Sequence, residues 1–180
     1  MEISKSGQFE SRRGHKESSY ADNFALVERL FPEAIAALEK HLHGGTVVDI
    51  GGGRSDWIRQ FAEKAGAKRC INIDVVPRTN IPTSKITEYV TADAIEYLSK
   101  PEVLRSVEGS CNFAVNGIDA TISGIDSEEL VSIMMFYLKK GDYVFGIHAP
   151  EVAKALSEEK YFKPLFYNTN KHLFYAFRYE

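Results

Sequence analysis

The chain has 180 residues, 44% of them hydrophobic, and a formal net charge of −3. That length suits one domain with a sizeable core and leaves little room for a second. The small net charge argues against a surface that holds nucleic acid by charge alone, though it leaves a local basic patch open. No apolar stretch nears the ~20 residues of a membrane span, and the polar start, Met1 to Tyr20, lacks the apolar core of a secretory signal. A cytoplasmic protein without a membrane partner is therefore expected. Cys70 and Cys111 are the only cysteines, and both sit in apolar runs. They read as buried free thiols; without histidines at ligand spacing they make no zinc site, and no metal is expected.

Residues 1–19 are rich in Ser, Lys, Arg and Glu and read as a flexible N-terminal arm, with residues 20–180 as the folded domain. Arg12, Arg13, His15 and Lys16 of the arm read as a solvated tail. Helical periodicity starts near Tyr20, with Phe24, Val27 and Phe31 on one face and Ile35, Leu38 and Leu42 on the next. Pro32 divides this stretch as a kink or as the first residue of a second helix, and Gly44-Gly45 ends it.

The pattern then changes period. Thr46 to Ile50 is a β-branched run that reads as a buried strand, followed at once by Gly51-Gly52-Gly53. Ser55 or Asp56 can cap the next helix, whose apolar stripe is Trp57, Ile58, Phe61, Ala62 and Ala65 and whose stop is Gly66. Cys70 to Val76 reads as a second strand and Thr87 to Thr91 as a third. A helix is expected from Ala94 to about Val107, with Pro101 as an irregularity. Cys111 to Ile118 reads as a fourth strand. Asp126 caps a helix with core face Leu130, Ile133, Met134, Tyr137 and Leu138, ended by Gly141. Asp142 to His148 reads as a fifth strand and Pro150 to about Lys160 as a short helix. Tyr161 to Tyr167 and His172 to Tyr179, joined through Asn168-Thr169-Asn170, read as a β-hairpin.

This alternation predicts an α/β fold: one Rossmann-like domain, a mostly parallel seven-stranded sheet with a C-terminal antiparallel hairpin, and helices on both faces. In such sheets ligands sit at the carboxyl ends of the strands, where the strand order reverses. The first strand-to-helix turn, Asp49-Ile50-Gly51-Gly52-Gly53-Arg54-Ser55-Asp56, belongs there. Its glycines permit positive φ and close approach of a ligand, and the helix behind offers unpaired N–H groups to an anion. No Lys follows the glycines, so a phosphate-binding loop is excluded. A dinucleotide fingerprint counted from Gly51 ends on Asp56, a carboxylate beside a pyrophosphate; counted from Gly52 it loses its middle glycine at Arg54. An NAD(P) site is weakened on both counts.

The turn resembles the D/E-x-G-x-G-x-G motif of class I S-adenosylmethionine-dependent methyltransferases, except that Ser55 replaces the last glycine. The resemblance spans roughly residues 20–180. It implies S-adenosylmethionine as cofactor, held by Asp49, Gly51, Gly52, Gly53 and Arg54, the last pairing with the ligand carboxylate. It implies further that Asp74 takes the ribose hydroxyls, Val75 packs on the adenine, and Asp93 with Ala94 meets the adenine edge. Asn116 lies where the family places residues beside the methionine portion and the substrate. Leu138-Lys139-Lys140-Gly141-Asp142 resembles the family's L-K-x-G-G turn with Asp142 in place of the second glycine. The DNA amino-methyltransferases of the family carry N/D-P-P-aromatic after the fourth strand; here Asn116-Gly117-Ile118-Asp119 stands there, which disfavours that acceptor and points to a small molecule. With no added substrate domain, the arm and first helices would form the lid.

Plainer readings stand beside these. The glycines can serve a tight connection alone, Asp74 a turn, and Asp93 an ordinary helix N-cap. Asn116 and Asp119, weak catalytic candidates, can simply shape the loop after the fourth strand. His148, the third such candidate, is a potential base because imidazole titrates near neutrality, or a structural residue. The hairpin aromatics read as core, and any outward surplus would suit a homodimer contact. A catalytically silent binding module remains the alternative to an enzyme.

Overall fold

The computed structural model describes residues 25–52, 56–77, 84–107, 109–117, 124–167 and 174–180. The N-terminal arm, Gly53, Arg54, Asp119 and the Asn168-Thr169-Asn170 turn lie outside the described residues. Residues 25–30 are helical and lead into α1 (Pro32–Leu42). Pro32 takes the first helical position, where its missing N–H costs nothing, so it starts a helix and does not kink one. The chain then runs β1 (Thr46–Ile50), α2 (Trp57–Lys64), β2 (Arg69–Asp74), β3 (Thr87–Thr91), α3 (Ala94–Leu98) and α4 (Pro101–Ser106). It continues through β4 (Cys111–Val115), α5 (Ser127–Met135), β5 (Tyr143–Gly146), α6 (Pro150–Glu158), β6 (Phe162–Tyr167) and β7 (Tyr175–Tyr179).

Several boundaries differ from the expected ones. The helix expected from Ala94 to Val107 is two helices, because Pro101 cannot continue α3 and pushes Lys100 into extended backbone; Pro101 then opens α4. The second, fourth and fifth strands stop at Asp74, Val115 and Gly146, two to three residues short of the apolar runs that suggested them. The residues beyond belong to connections at the sheet's carboxyl edge, where Ile147 is buried and Val75 is exposed, so apolarity there does not mark where pairing stops.

The seven strands form one sheet in the order β3-β2-β1-β4-β5-β7-β6. β3, β2, β1, β4 and β5 are parallel; β7 runs antiparallel to β5 and to β6. The order reverses between β1 and β4, which opens a crevice at their carboxyl tips. Alternating strand residues feed two cores. Val48, Ile50, Ile71, Ile73, Phe113 and Val115 pack with α3 to α6 on one face. Val47, Cys70, Ala114 and Phe145 pack with α1 and α2 on the other. Burial on both faces explains why the parallel strands read as unbroken apolar runs. The outer strand β6 carries Pro164 and a register shift between Pro164 and Phe166, which blunts the exposed edge. The hairpin aromatics Phe162, Phe174, Tyr175 and Phe177 are core, as expected; Tyr161 and Leu165 form its outward apolar surplus.

The amino edge of the sheet is tied by Asp142. Its carboxylate, 2% exposed, accepts from the Ser110 hydroxyl (2.6 Å), the backbone N–H of Lys139 (2.7 Å) and of Cys111 (3.1 Å), and meets His41 Nε2 at 3.3 Å. One side chain thereby joins α1, the start of β4 and the turn before β5. Asp142→Ala strands these donors and should lower stability by about 3 kcal/mol, read as the free energy of urea unfolding; a loss below half that value would show the donors finding water instead. Burial pushes the Cys70 thiol up to about 12, with the nearby Asp49 charge acting in the same direction, and raises Cys111 as well. A disulfide reagent at about pH 8 should therefore label neither cysteine in the folded chain and both after unfolding; prompt labelling of native protein would contradict their burial.

Candidate functional site

The crevice at the strand-order reversal is built around a buried carboxylate. Asp49, fourth residue of β1, is 1% exposed and lies on the face of α1 and α2. A charge there must be hydrogen-bonded on all sides to be tolerated. Asn72 of β2, directly opposite Asp49 in the strand register, donates Nδ2–H to Oδ2 at 2.6 Å. Asn116, the first residue beyond β4, donates Nδ2–H to Oδ1 at 3.0 Å. The Asn116 side-chain oxygen in turn accepts from the backbone N–H of Ile147, just past β5, at 3.2 Å. A continuous chain of hydrogen bonds thus crosses β2, β1, β4 and β5 along the carboxyl edge and spans the reversal. Backbone bonds run parallel to it: Gly51 N–H to the Ile73 carbonyl, Asn116 N–H to Ile50, and Gly117 N–H to Ile147, each at 3.0 Å.

The glycine bend rests on this chain. Gly51 has φ +72°, a backbone open to glycine at no steric cost. A Cβ on Gly52 would lie 2.2 Å from Asp49 Oδ2 and 2.7 Å from Asn72 Nδ2. Gly52 is therefore glycine because the bend sits directly on the clamped carboxylate. Asp49 and Asn116, expected to face a ligand, are joined beneath the bend, with the Asn116 side chain bonded to Asp49 and to Ile147. Asn72 was missed. Its only signal was a polar residue in the middle of an apolar strand run.

The other expected residues gather along the same edge. Asp74 ends β2 next to the bend, through the Gly51-to-Ile73 bond, and pairs in register with Thr91 of β3. Its Oδ1 accepts the Val76 N–H at 2.8 Å, which orients the half-buried carboxylate at the strand tip and uses one of about four lone-pair sites. Val75 follows with 42% of its surface exposed, an apolar side chain presented at the edge and not to the core. Asp93 caps α3 by accepting the Glu96 N–H at 3.0 Å, the ordinary reading of an Asp before a helix, and Ala94 packs into the core. The Ala92 N–H bonds to the Asp74 carbonyl at 3.1 Å, so the tips of β2 and β3 are linked.

Beyond β5, His148 is exposed and has φ +55°. Among the described residues it is the one non-glycine with positive φ, a conformation that costs such a residue on the order of 1 kcal/mol. Three residues on, in the first turn of α6, Glu151 Oε2 is buried without a hydrogen-bond partner. Glu151 carried no sequence signal, since Glu in a first helical turn is commonplace. Among the described residues no His, Cys, Asp and Glu cluster is arranged to hold a metal, and no helix is long and apolar enough to cross a membrane.

No protein-family model and no curated protein sequence matches the chain. Solved structures do. The methyltransferase MycE of mycinamycin biosynthesis, solved with Mg and S-adenosylhomocysteine, has a TM-score of 0.57 at 8% identity, over 91% of this chain and 48% of its own. A provisionally assigned methyltransferase, yhhF of Escherichia coli, has a TM-score of 0.56 at 11% identity, over 88% of this chain and 85% of its own. A provisionally assigned S-adenosylmethionine-dependent methyltransferase of Streptococcus mutans has a TM-score of 0.56 at 11% identity, over 79% of this chain and 46% of its own. The chain spans about half the length of the first and third of these. At such identities the likeness is one of fold, and the chain has the Rossmann-like fold of class I methyltransferases.

The close seating of Gly52 yields a test of the clamp. Gly52→Ala must push the bend off Asp49 and should cost about 3 kcal/mol in urea unfolding. An unchanged midpoint would show that the bend does not rest on the carboxylate.

Proposed function

We propose that this chain is an S-adenosylmethionine-dependent methyltransferase acting on a small-molecule acceptor. The observation that carries the reading is the charge of the carboxyl edge. Asp49, Asp74 and Asp93 stand at or just beyond the tips of three adjacent strands, and Glu151 follows the fifth. Among the described residues of this edge, from Asp49 to Gly52, Asp74 to Pro77, Thr91 to Glu96, Asn116 to Gly117 and Ile147 to Glu151, there is no Lys or Arg. A pyrophosphate would bring two negative charges into this acidic surround, which suits it less than a ligand of net positive charge. S-adenosylmethionine, with a sulfonium, an ammonium and one carboxylate, carries a net positive charge and suits the same edge.

The residues fit that group by position and by chemistry. Asp74 presents a half-buried carboxylate at the tip of β2, chemistry that suits two ribose hydroxyls, and exposed Val75 offers an apolar surface to the adenine. Gly51, Gly52 and Gly53 let the amino-acid end approach the backbone, with Arg54 as the partner of its carboxylate. Asp93 and Ala94 border the adenine end. Asp49 and Asn116 serve the ligand through the bend they position. When bound, the cofactor supplies an activated methyl on a good leaving group, so the protein's task is alignment and exclusion of competing geometries. The chain orients through the clamped bend on one side and Asp74 on the other, and both are set by the sheet.

Asp74→Ala removes the paired acceptor for the ribose. It should weaken S-adenosylhomocysteine binding by about 2 kcal/mol in calorimetric titration while the native chain binds it and ignores NAD and ATP. Binding of NAD in place of S-adenosylhomocysteine would overturn the assignment, and unchanged affinity in the variant would remove Asp74 from the site.

A further inference from the structure

We propose that His148 is the proton acceptor of the transfer, and that the methyl acceptor is therefore a nucleophile that carries a dissociable proton: a hydroxyl, a phenol or an amine. The inference rests on the reading of the bend as an S-adenosylmethionine site. Its own ground is the placement and backbone of His148. The residue lies immediately beyond Ile147, whose N–H and carbonyl bond Asn116 and Gly117. It is thus anchored to the same hydrogen-bonded chain that holds the bend. Neighbouring strands are about 4.8 Å apart, so His148 stands two strands, roughly 10 Å, from the tip of β1. If the ribose sits on Asp74 of β2 and the amino-acid end at the bend of β1, the transferred methyl would lie toward β4 and β5, on the side of His148.

The backbone at His148 sharpens the point. A left-handed conformation is free to glycine and unfavourable to histidine, yet the connection after β5 keeps a histidine there. The turn after β5 thus fixes the backbone from which the His148 side chain projects. The imidazole is also exposed, so a proton it gains has a route to solvent. Charged and titratable side chains at this edge among the described residues include Asp49 on β1, Asp56 and Arg59 at the start of α2, Asp74 on β2, Asp93 and Glu96 at the start of α3, Asp126, Glu128 and Glu129 at the start of α5, Glu151 on α6 and Tyr167 at the end of β6. The carboxylates outnumber the one cation, Arg59, which is itself paired with Asp56, and such a surround accommodates an imidazolium. In the step itself, the acceptor's lone pair forms a bond to the methyl carbon. The carbon–sulfur bond breaks with its electrons going to sulfur, and the acceptor's proton passes to the His148 ring nitrogen and then to water.

Two ligands differing by one charge test this without an acceptor in hand. The ring signals of the histidines are followed by NMR over a pH series with saturating S-adenosylhomocysteine and, separately, S-adenosylmethionine; loss of one signal in His148→Asn assigns it. A sulfonium close by opposes protonation, so the His148 midpoint should lie roughly half a pH unit or more lower with S-adenosylmethionine. His41 and His43, at the opposite edge, should titrate alike with both. If calorimetry shows both ligands bound and the His148 midpoint is the same with each, the histidine is remote from the sulfonium and the proposal fails alone. If neither ligand binds, the cofactor reading fails and takes the proposal with it.

Discussion

The carboxylate of Asp49 is the constraint on which the rest of the carboxyl edge depends. A buried charge is tolerable only with its oxygens occupied, and here the donors come from two neighbouring strands. Satisfying it therefore fixes β2 and β4 against β1 at the place where the strand order reverses. Asn116 carries the coupling one strand further, to Ile147. Because Gly52 rests on the same carboxylate, the chain sets both the height of the bend and the spacing of the tips around it.

The two ends of the sheet use buried acids differently. Asp142 at the amino edge collects backbone and hydroxyl donors that belong to the start of β4 and the turn before β5. Asp49 at the carboxyl edge collects two amides, side chains whose carbonyl ends can bond onward. The first arrangement closes an edge and the second transmits position along one. Gly146 belongs to the second set. A Cβ there would fall 1.9 Å from the Val115 carbonyl, which already accepts the Tyr175 hydroxyl at 3.0 Å. The antiparallel hairpin is thus locked to the tip of β4 as well.

Much of the fold was legible in local pattern. β-branched runs of four to six residues, helices with apolar stripes, and Pro or Gly at their ends marked nearly every element, and β1 and β3 have the bounds read from the residues alone. The misjudged ends share one cause: the apolar runs continue past the last paired residue of β2, β4 and β5 into the connections, and apolarity alone does not say where pairing stops. In the site, the glycine bend and Asp74 were visible because they follow strands at fixed offsets. Asn72 and Glu151 were not, since their meaning lies in contacts across the sheet or in an oxygen left without a partner.

The sequence by itself determined the alternation of strand and helix, hence a mostly parallel sheet with a glycine bend at the first carboxyl tip. Short-range periodicity and backbone chemistry are properties of neighbouring residues, and they are enough for that. Only the tertiary structure decided that Asn72 and Asn116 both bond Asp49 beneath the bend and that Ile147 joins the same chain. Those outcomes depend on register between strands 23 to 67 residues apart and on which oxygen meets which N–H, and no local pattern encodes either.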